Sequence, residues 1–405
     1  MLFRSIVQQA NAQGITFLAA SGDSGAATCD GAFSEPVATN GLGVSFPASI
    51  PEVTAVGGTE FNEGSGAYWS STNTPNGASA MSYIPERAWN DSVATGLIEG
   101  GGGGASILYS KPAWQSGPGV PSDNARDVPD LALAASGYHD GYNLCTLGTC
   151  RLSGGTSVST PIFAGILALI NQSIANKGAA AGLGNINATL YRLAQNVSGV
   201  FHDITAGDNI VPCASGTPGC ASGSYGYAAG PGYDLATGWG SVDALNLVNA
   251  WNSSGVPTAI SVTADHSSVT LSDAVQLTIT VTPASGKATP SGTVYVNQTG
   301  VSTPLTLTLA GGSLLGTAAL AANGSTATTV VTVYPGALTT GTDTVTVTYG
   351  GDGTFNGSSA SITSDCKRAN WPLGCHRLRS SVLLLLERSS GGHRSASGHQ
   401  SGISV

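Results

Sequence analysis

Charge is what this chain has least of. Only 9% of its 405 residues are Asp, Glu, Lys or Arg. Fourteen basic residues against 23 acidic ones leave a formal net charge of −9 and a pI near 4.9. That balance argues against a nucleic-acid partner, which needs clustered basic residues. Acid unfolding proceeds largely by protonating paired carboxylates, so a chain with few ion pairs has less to lose at low pH. Long apolar runs are also missing. Val382 to Leu386 is far too short to cross a bilayer, and no membrane span is expected. The first residues, Met1-Leu2-Phe3-Arg4-Ser5-Ile6-Val7, lack signal-peptide architecture. They read as the middle of an amphipathic helix, so the chain is expected to begin inside a domain.

What is abundant is glycine, with 57 residues, together with Ser and Thr. Low charge with this composition suits a secreted protein. Seven cysteines are present. Cys145 and Cys150 are close together, as are Cys213 and Cys220, which predicts two local disulfides and an oxidising compartment, with free thiols as the alternative. The length suffices for two or three domains.

One stretch organises the chain: Ser153-Gly154-Gly155-Thr156-Ser157-Val158-Ser159-Thr160-Pro161, followed by apolar residues through Ile170. The apolar run predicts a helix buried on all sides, with Pro161 in its first turn, where a missing N–H costs least. Ser157 then sits at or just before the helix N-terminus. Free backbone N–H groups and a partial positive charge gather there, and the oxyanion of acyl transfer needs such donors. Serine is also a preferred N-cap, so a capping role stays open.

Residues 3–13 suit a helix closed by Gly14. Three short apolar strands are expected at 15–20, 53–59 and 128–135, with helices near 160–176 and 186–196. Alternating strands and helices predict a doubly wound α/β domain. The first strand ends in Ser21-Gly22-Asp23-Ser24-Gly25. Functional groups collect outside the carboxyl ends of such strands, which favours Asp23, although Asp between glycines also caps turns. Gly100 to Gly104 either lets backbone approach an extended peptide or forms a flexible loop. His202-Asp203-Ile204 and the later Gly230-Pro231-Gly232-Tyr233-Asp234 supply two carboxylates and several carbonyls, the all-oxygen set that Ca²⁺ takes, or two ordinary Asx turns.

Taken in order, these stretches over residues 1–252 resemble the sedolisin family, the serine-carboxyl peptidases of subtilisin-like fold. Lys111-Pro112-Ala113-Trp114-Gln115 and Val128-Pro129-Asp130 add to the likeness. The resemblance implies a subtilisin-like doubly wound parallel sheet and an endopeptidase acting on protein or peptide substrates at acid pH. It implies Ser157 as nucleophile and Asp23 as the oxyanion aspartate. An aspartate donates a hydrogen bond only when protonated, a state that burial and acid both favour. It implies Ca²⁺ held by the carboxylates of Asp203 and Asp234 and the carbonyls of Ile204, Gly230 and Gly232. The family's general base is a glutamate with an aspartate four residues later, upstream of the oxyanion aspartate. None of the 22 residues before Asp23 is Glu or Asp. The expectation is therefore an incomplete, N-terminally truncated peptidase domain of impaired activity. His139 and His202 are the only histidines before residue 266 that could substitute.

Past Trp251 the composition changes. Period-two segments such as Ala274-Val275-Gln276-Leu277-Thr278-Ile279-Thr280-Val281 predict an all-β sandwich over 257–363. Its end, Asp343 to Phe355, resembles bacterial Ig-like repeats of secreted and surface proteins. Such a module serves as a spacer or contacts a surface or polysaccharide. Residues 364–405 hold six of the 14 basic residues and three of the six histidines, and read as an unassigned basic tail, out of frame with the rest. The rival function is a non-catalytic secreted binding or adhesion protein built on a decayed peptidase scaffold.

Overall fold

The computed structural model describes residues 2–367 except 76–77, 140, 177–181, 252–255, 267, 271, 287, 303–312, 335–336, 339–340 and 353. The first part runs α1 (Leu2–Ala12), β1 (Leu18–Ala20), β2 (Thr54–Phe61), β3 (Glu86–Ala88), a short α2 (Ser92–Thr95), β4 (Gly104–Ser110), β5 (Ala125–Val128) and β6 (Leu131–Ala134). A hairpin of β7 (Tyr142–Thr146) and β8 (Thr149–Ser153) leads into α3 (Thr156–Asn176) and α4 (Asn187–Asn196). Four two-residue strands follow, β9 (Phe201–His202), β10 (Val211–Pro212), β11 (Ser224–Tyr225) and β12 (Ser241–Val242), and then α5 (Ala244–Ala250).

β2 is the centre of the main sheet. It pairs parallel with β1 and β6 and antiparallel with β3. Successive residues of its strands face opposite layers. Ala19 and Ala55 pack with Val7 of α1, whereas Val56, Leu131 and Leu133 pack with α3, α4 and α5. Both faces are thus covered, as a parallel sheet requires, and the doubly wound expectation agrees with this layering over the strands described.

α3 differs from its expected form in two ways. It begins at Thr156, so Pro161 lies in the second turn rather than the first, inside the helix. The proline removes the N–H that the Ser157 carbonyl would otherwise accept. Only one stripe of α3 is buried, Phe163, Leu167, Ile170 and Ile174, while Leu169 on the outer face is half exposed. By length and composition α3 is apolar enough to cross a bilayer. Here its stripe packs across β1, β2 and β6.

The glycine run is an ordered crossing of backbones rather than a flexible loop. Gly100, Gly101, Gly102 and Gly103 are buried. They thread between the 21–25 loop and Trp89 through Gly100 N to Asp23 O at 3.0 Å, Gly102 N to Gly22 O at 2.7 Å and Gly101 N to Trp89 O at 2.9 Å. A Cβ at Gly102 would stand 2.1 Å from the Ser21 carbonyl oxygen, and one at Gly103 would stand 1.9 Å from that of Leu235. No side chain fits where backbones cross this closely.

Both local disulfides form, Cys145–Cys150 across β7 and β8 and Cys213–Cys220. Among the described residues Cys29 and Cys366 have no disulfide partner, and Cys375 lies outside the described residues.

Residues 256–367 build two sheets around one apolar core. β13 (Thr258–Ala264), β15 (Val275–Pro283), β19 (Thr326–Val333) and β18 (Ala321–Asn323) form one. β14 (Ser268–Thr270), β21 (Ser358–Lys367), β20 (Gly341–Tyr349), β16 (Thr293–Ser302) and β17 (Ser313–Ala319) form the other. Val275, Leu277, Ile279 and Val281 point inward while the threonines between them point out. β21 runs through Lys367, four residues beyond the expected boundary at 363, with Cys366 buried opposite Gly341. The rest of the expected tail lies outside the described residues.

A fully buried ion pair fixes how β5, β6 and α4 meet. Arg126 Nη2 lies 2.6 Å from Asp130 Oδ2, and neither side chain is exposed. Asp130 also accepts Ala55 N at 2.8 Å and Tyr191 Oη at 3.0 Å, and Arg126 stacks over Trp114. Removing one member strands a charge in the dry interior. Arg126→Met is expected to cost about 3–5 kcal/mol, read as a lower urea midpoint with an unchanged slope.

Candidate functional site

β1 ends at Ala20, and the chain turns through Ser21-Gly22-Asp23 at the carboxyl edge of the sheet. β6, on the other side of β2, ends at Ala134 on the same edge. Gly155 N donates to Ala135 O at 2.6 Å, which sets the start of α3 on that same edge. Asp23 then ties the two loops together. Its Oδ1 accepts the Thr156 backbone N–H at 2.8 Å and the Thr156 hydroxyl at 2.7 Å. A side-chain oxygen that accepts a first-turn N–H satisfies one of the unpaired donors at a helix N-terminus.

Gly155 has φ +96°, and a Cβ there would stand 2.9 Å from Asp23 Oδ2. Glycine satisfies both the left-handed backbone and the close approach. Asp23 Oδ1 is thus occupied as an acceptor, while Oδ2 has no hydrogen-bond partner among the described residues.

Ser157 is the second residue of α3 and is exposed. Its hydroxyl has no hydrogen-bond partner among the described residues, so it is no N-cap. Its neighbours are committed elsewhere: Ser159 Oγ donates to Ala134 O at 2.8 Å and Thr160 Oγ1 to Thr156 O at 2.7 Å. The Ser157 N–H lies in the first turn, where no intrahelical acceptor exists. The structure therefore brings together a free hydroxyl, a free N–H and a carboxyl oxygen. Acyl transfer needs these three groups to attack a carbonyl and to hold its oxyanion.

Neither histidine is hydrogen-bonded to Ser157. His202 stacks on Tyr83 with ring centroids 3.7 Å apart, and His139 faces Glu63 at 3.9 Å. Thr156, which positions Asp23, escaped the reading of the sequence. Its place between Gly155 and Ser157 was the available signal, because a hydroxyl in a first turn faces the loop that caps it.

The expected calcium residues form a second cluster. Gly232 N donates to Asp203 Oδ2 at 2.9 Å and Gly230 N to Asp234 Oδ2 at 3.0 Å, which brings both loops together. Ile204 is buried beside Gly240. Burial pushes the Asp234 carboxyl up to about 6, and hydrogen bonds from Gly230, Thr237 and Ala236 oppose it. The partners of Asp234 are donors, the N–H groups of Gly230, Ala236 and Thr237 and the Thr237 hydroxyl, and among the described residues no group of three or more acidic, His or Cys side chains gathers to hold a metal.

The model of the subtilase family matches residues 3–240. The chain is 35% identical over 244 residues to sedolisin of Pseudomonas sp. (strain 101), covering 60% of this chain and 36% of that protein. It is 36% identical over 248 residues to kumamolisin of Bacillus sp. (strain MN-32), covering 60% and 37%. Human tripeptidyl-peptidase 1 is 33% identical over 248 residues, covering 58% and 37%. A solved structure of Pseudomonas sedolisin, a serine-carboxyl proteinase complexed with two molecules of pseudo-iodotyrostatin, aligns with TM-score 0.46 and 32% identity over 61% of this chain and 58% of that one. The chain spans a little over one third of the length of these curated relatives. With the family model matched over more than half of its residues, the chain belongs to the subtilase family.

Proposed function

We propose that this chain carries the nucleophile and oxyanion half of a sedolisin-type serine peptidase that cleaves protein or peptide substrates in acid. The observation that carries this reading is the Asp23 clamp on Thr156, which leaves Ser157 Oγ, Ser157 N–H and Asp23 Oδ2 free at one helix end.

In the reaction, Ser157 Oγ attacks the scissile carbonyl carbon. A C–O bond forms, and the carbonyl electron pair moves onto oxygen. The Ser157 N–H and protonated Asp23 receive that oxyanion. The serine proton passes to a base and then to the departing amine as the C–N bond breaks, and water releases the acyl group from Ser157. Among the described residues no carboxylate or imidazole is hydrogen-bonded to Ser157 Oγ, so the chain by itself works slowly. Losing a base from such a constellation costs several powers of ten in rate.

The two disulfides support an extracellular setting. The two-sheet module at 256–367 fits the Ig-like reading, as a spacer or as a contact to a surface or polysaccharide. Calcium, when bound, would brace the loops of Asp203, Ile204, Gly230, Gly232 and Asp234.

Incubated with denatured protein at pH 4, the chain is expected to cut slowly, and Ser157→Ala to abolish the cutting. Cleavage unchanged by that substitution would remove Ser157 from the reaction. Thermal unfolding at pH 6 is expected to shift upward by several degrees on adding millimolar CaCl₂ to EDTA-treated protein. Asp203→Asn should erase that shift, and a shift retained in the variant would place the cation elsewhere.

A further inference from the structure

The two-sheet module of residues 256–367 is dry on part of an outer face. On β15 burial alternates. Val275, Leu277, Ile279 and Val281 are buried, and Gln276 and Thr278 between them are exposed. That is a strand with one face on a core and one in water. β16 breaks the pattern, because Val294, Tyr295, Val296, Asn297 and Gln298 are buried in succession. Val294 and Val296 belong to the core between the two sheets, and Tyr295 does not. Pleating turns Tyr295 to the outer face, beside its half-buried cross-strand partner Thr348 on β20. A tyrosine on an outer face that is only 7% exposed has another layer over it.

α1 supplies that layer. The first part of the chain and the module form one compact unit, and α1 contacts both β16 and β17. Tyr295 shares the wall of one cleft of about 590 Å³ with Arg4 of α1 and with Glu52. The opposite side of α1 is fastened to the main sheet. Val7 is fully buried among Ala19, Val53 and Ala55. Arg4 donates to both oxygens of Glu52, at 2.9 and 2.8 Å. Gln8 donates to Glu52 Oε1 at 2.9 Å, and Asn11 donates to the Glu52 carbonyl at 2.7 Å. Glu52 stands two residues before β2 and thus receives three side chains of α1.

We propose that the outer face of the second sheet, centred on Tyr295, is a docking surface for α1, and that the module thereby straps α1 onto the main sheet. An eleven-residue helix is marginal by itself, so its order depends on what covers it. α1 runs through Gly14 into β1, and β1 ends just before Ser21-Gly22-Asp23. The strap therefore bears on the loop that carries Asp23. The module's first partner is its own chain, and the exposed outer face of β15 is the side left for any outside contact.

Charge agrees with the geometry. Burial first, and then the Glu52 carboxylate, push the Tyr295 phenol up, while the Arg4 guanidinium pulls it down. Arg4 and Glu52 neutralise each other, and Lys111, another cation in the cleft wall, is paired with Asp123 and Asp127. A neutral side chain at 295 suits this surface. A carboxylate there would face Glu52 with every cation already engaged. None of this depends on the peptidase reading, and the test below needs no catalysis.

Hydrogen exchange measured in the full chain reads the strap directly. Tyr295→Glu is expected to speed exchange of the α1 amides about tenfold or more, while β15, in the other sheet of the module, stays protected. Thr278→Glu, on the exposed face of β15, is expected to leave α1 unchanged. Thr348→Glu, opposite Tyr295, should repeat the Tyr295→Glu result. It supplies the reading if Tyr295→Glu unfolds the module, an event that loss of β15 protection reports. Unchanged α1 exchange in a variant at 295 or 348 that keeps β15 protected would overturn the proposal. Equal loosening of α1 by Thr278→Glu would overturn it as well.

Discussion

The Asp23 carboxylate holding the first turn of α3 is the interaction on which the site depends. Neither loop defines a reactive geometry alone. The 21–25 loop is an ordinary strand-to-loop exit, and an exposed serine in a first helical turn is common. Joined through Thr156 N and Oγ1, they place a free hydroxyl, a free N–H and a free carboxyl oxygen at one helix end. Gly102 lets the backbone cross that of Ser21, and Gly155 leaves room for the Asp23 carboxyl at the junction. Asp23 thus has two tasks on its two oxygens, one accepting from the helix and one facing outward.

Beneath the junction the interior is unusually rich in carboxyl groups for a chain with so little charge. Asp130 is neutralised by Arg126 and tied to β2 through Ala55 N. Glu60 and Asp127 are both pushed up, by burial first. A buried carboxyl that keeps its proton stabilises the fold in acid and weakens it as the pH rises. The low overall charge and these raised interior carboxyls act in the same direction. Both favour a fold that holds at low pH.

How much of this was legible in the sequence differs from residue to residue. The parallel strands, α3, the two disulfides and the β-sheet content after residue 256 follow from periodicity and spacing, and each is present. Asp23 and Ser157 are marked by motif order, and the structure sets the Asp23 loop against the first turn of α3, which holds Ser157. Pro161 misled, because a proline near a helix start suggests the first turn, whereas the Asp23 contact extends α3 back to Thr156. The outer face of α3 also misled, since its apolar residues read as buried and partner segments cover only one stripe. The role of Gly100 to Gly103 was hidden because a crossing of two backbones leaves no local pattern.

The central claim is that Asp23 must carry a proton to stabilise an oxyanion formed at Ser157. Its most direct measurement is the affinity of a short peptide aldehyde, which adds to a serine hydroxyl as a tetrahedral adduct, followed from pH 3 to pH 7 in the parent chain and in Asp23→Asn. Asparagine keeps an acceptor for Thr156 and donates an N–H at every pH. Binding to the parent should weaken steadily as the pH rises, while binding to the variant stays level across the range. Parallel pH profiles for the two proteins, or tight binding that survives Ser157→Ala, would contradict the account.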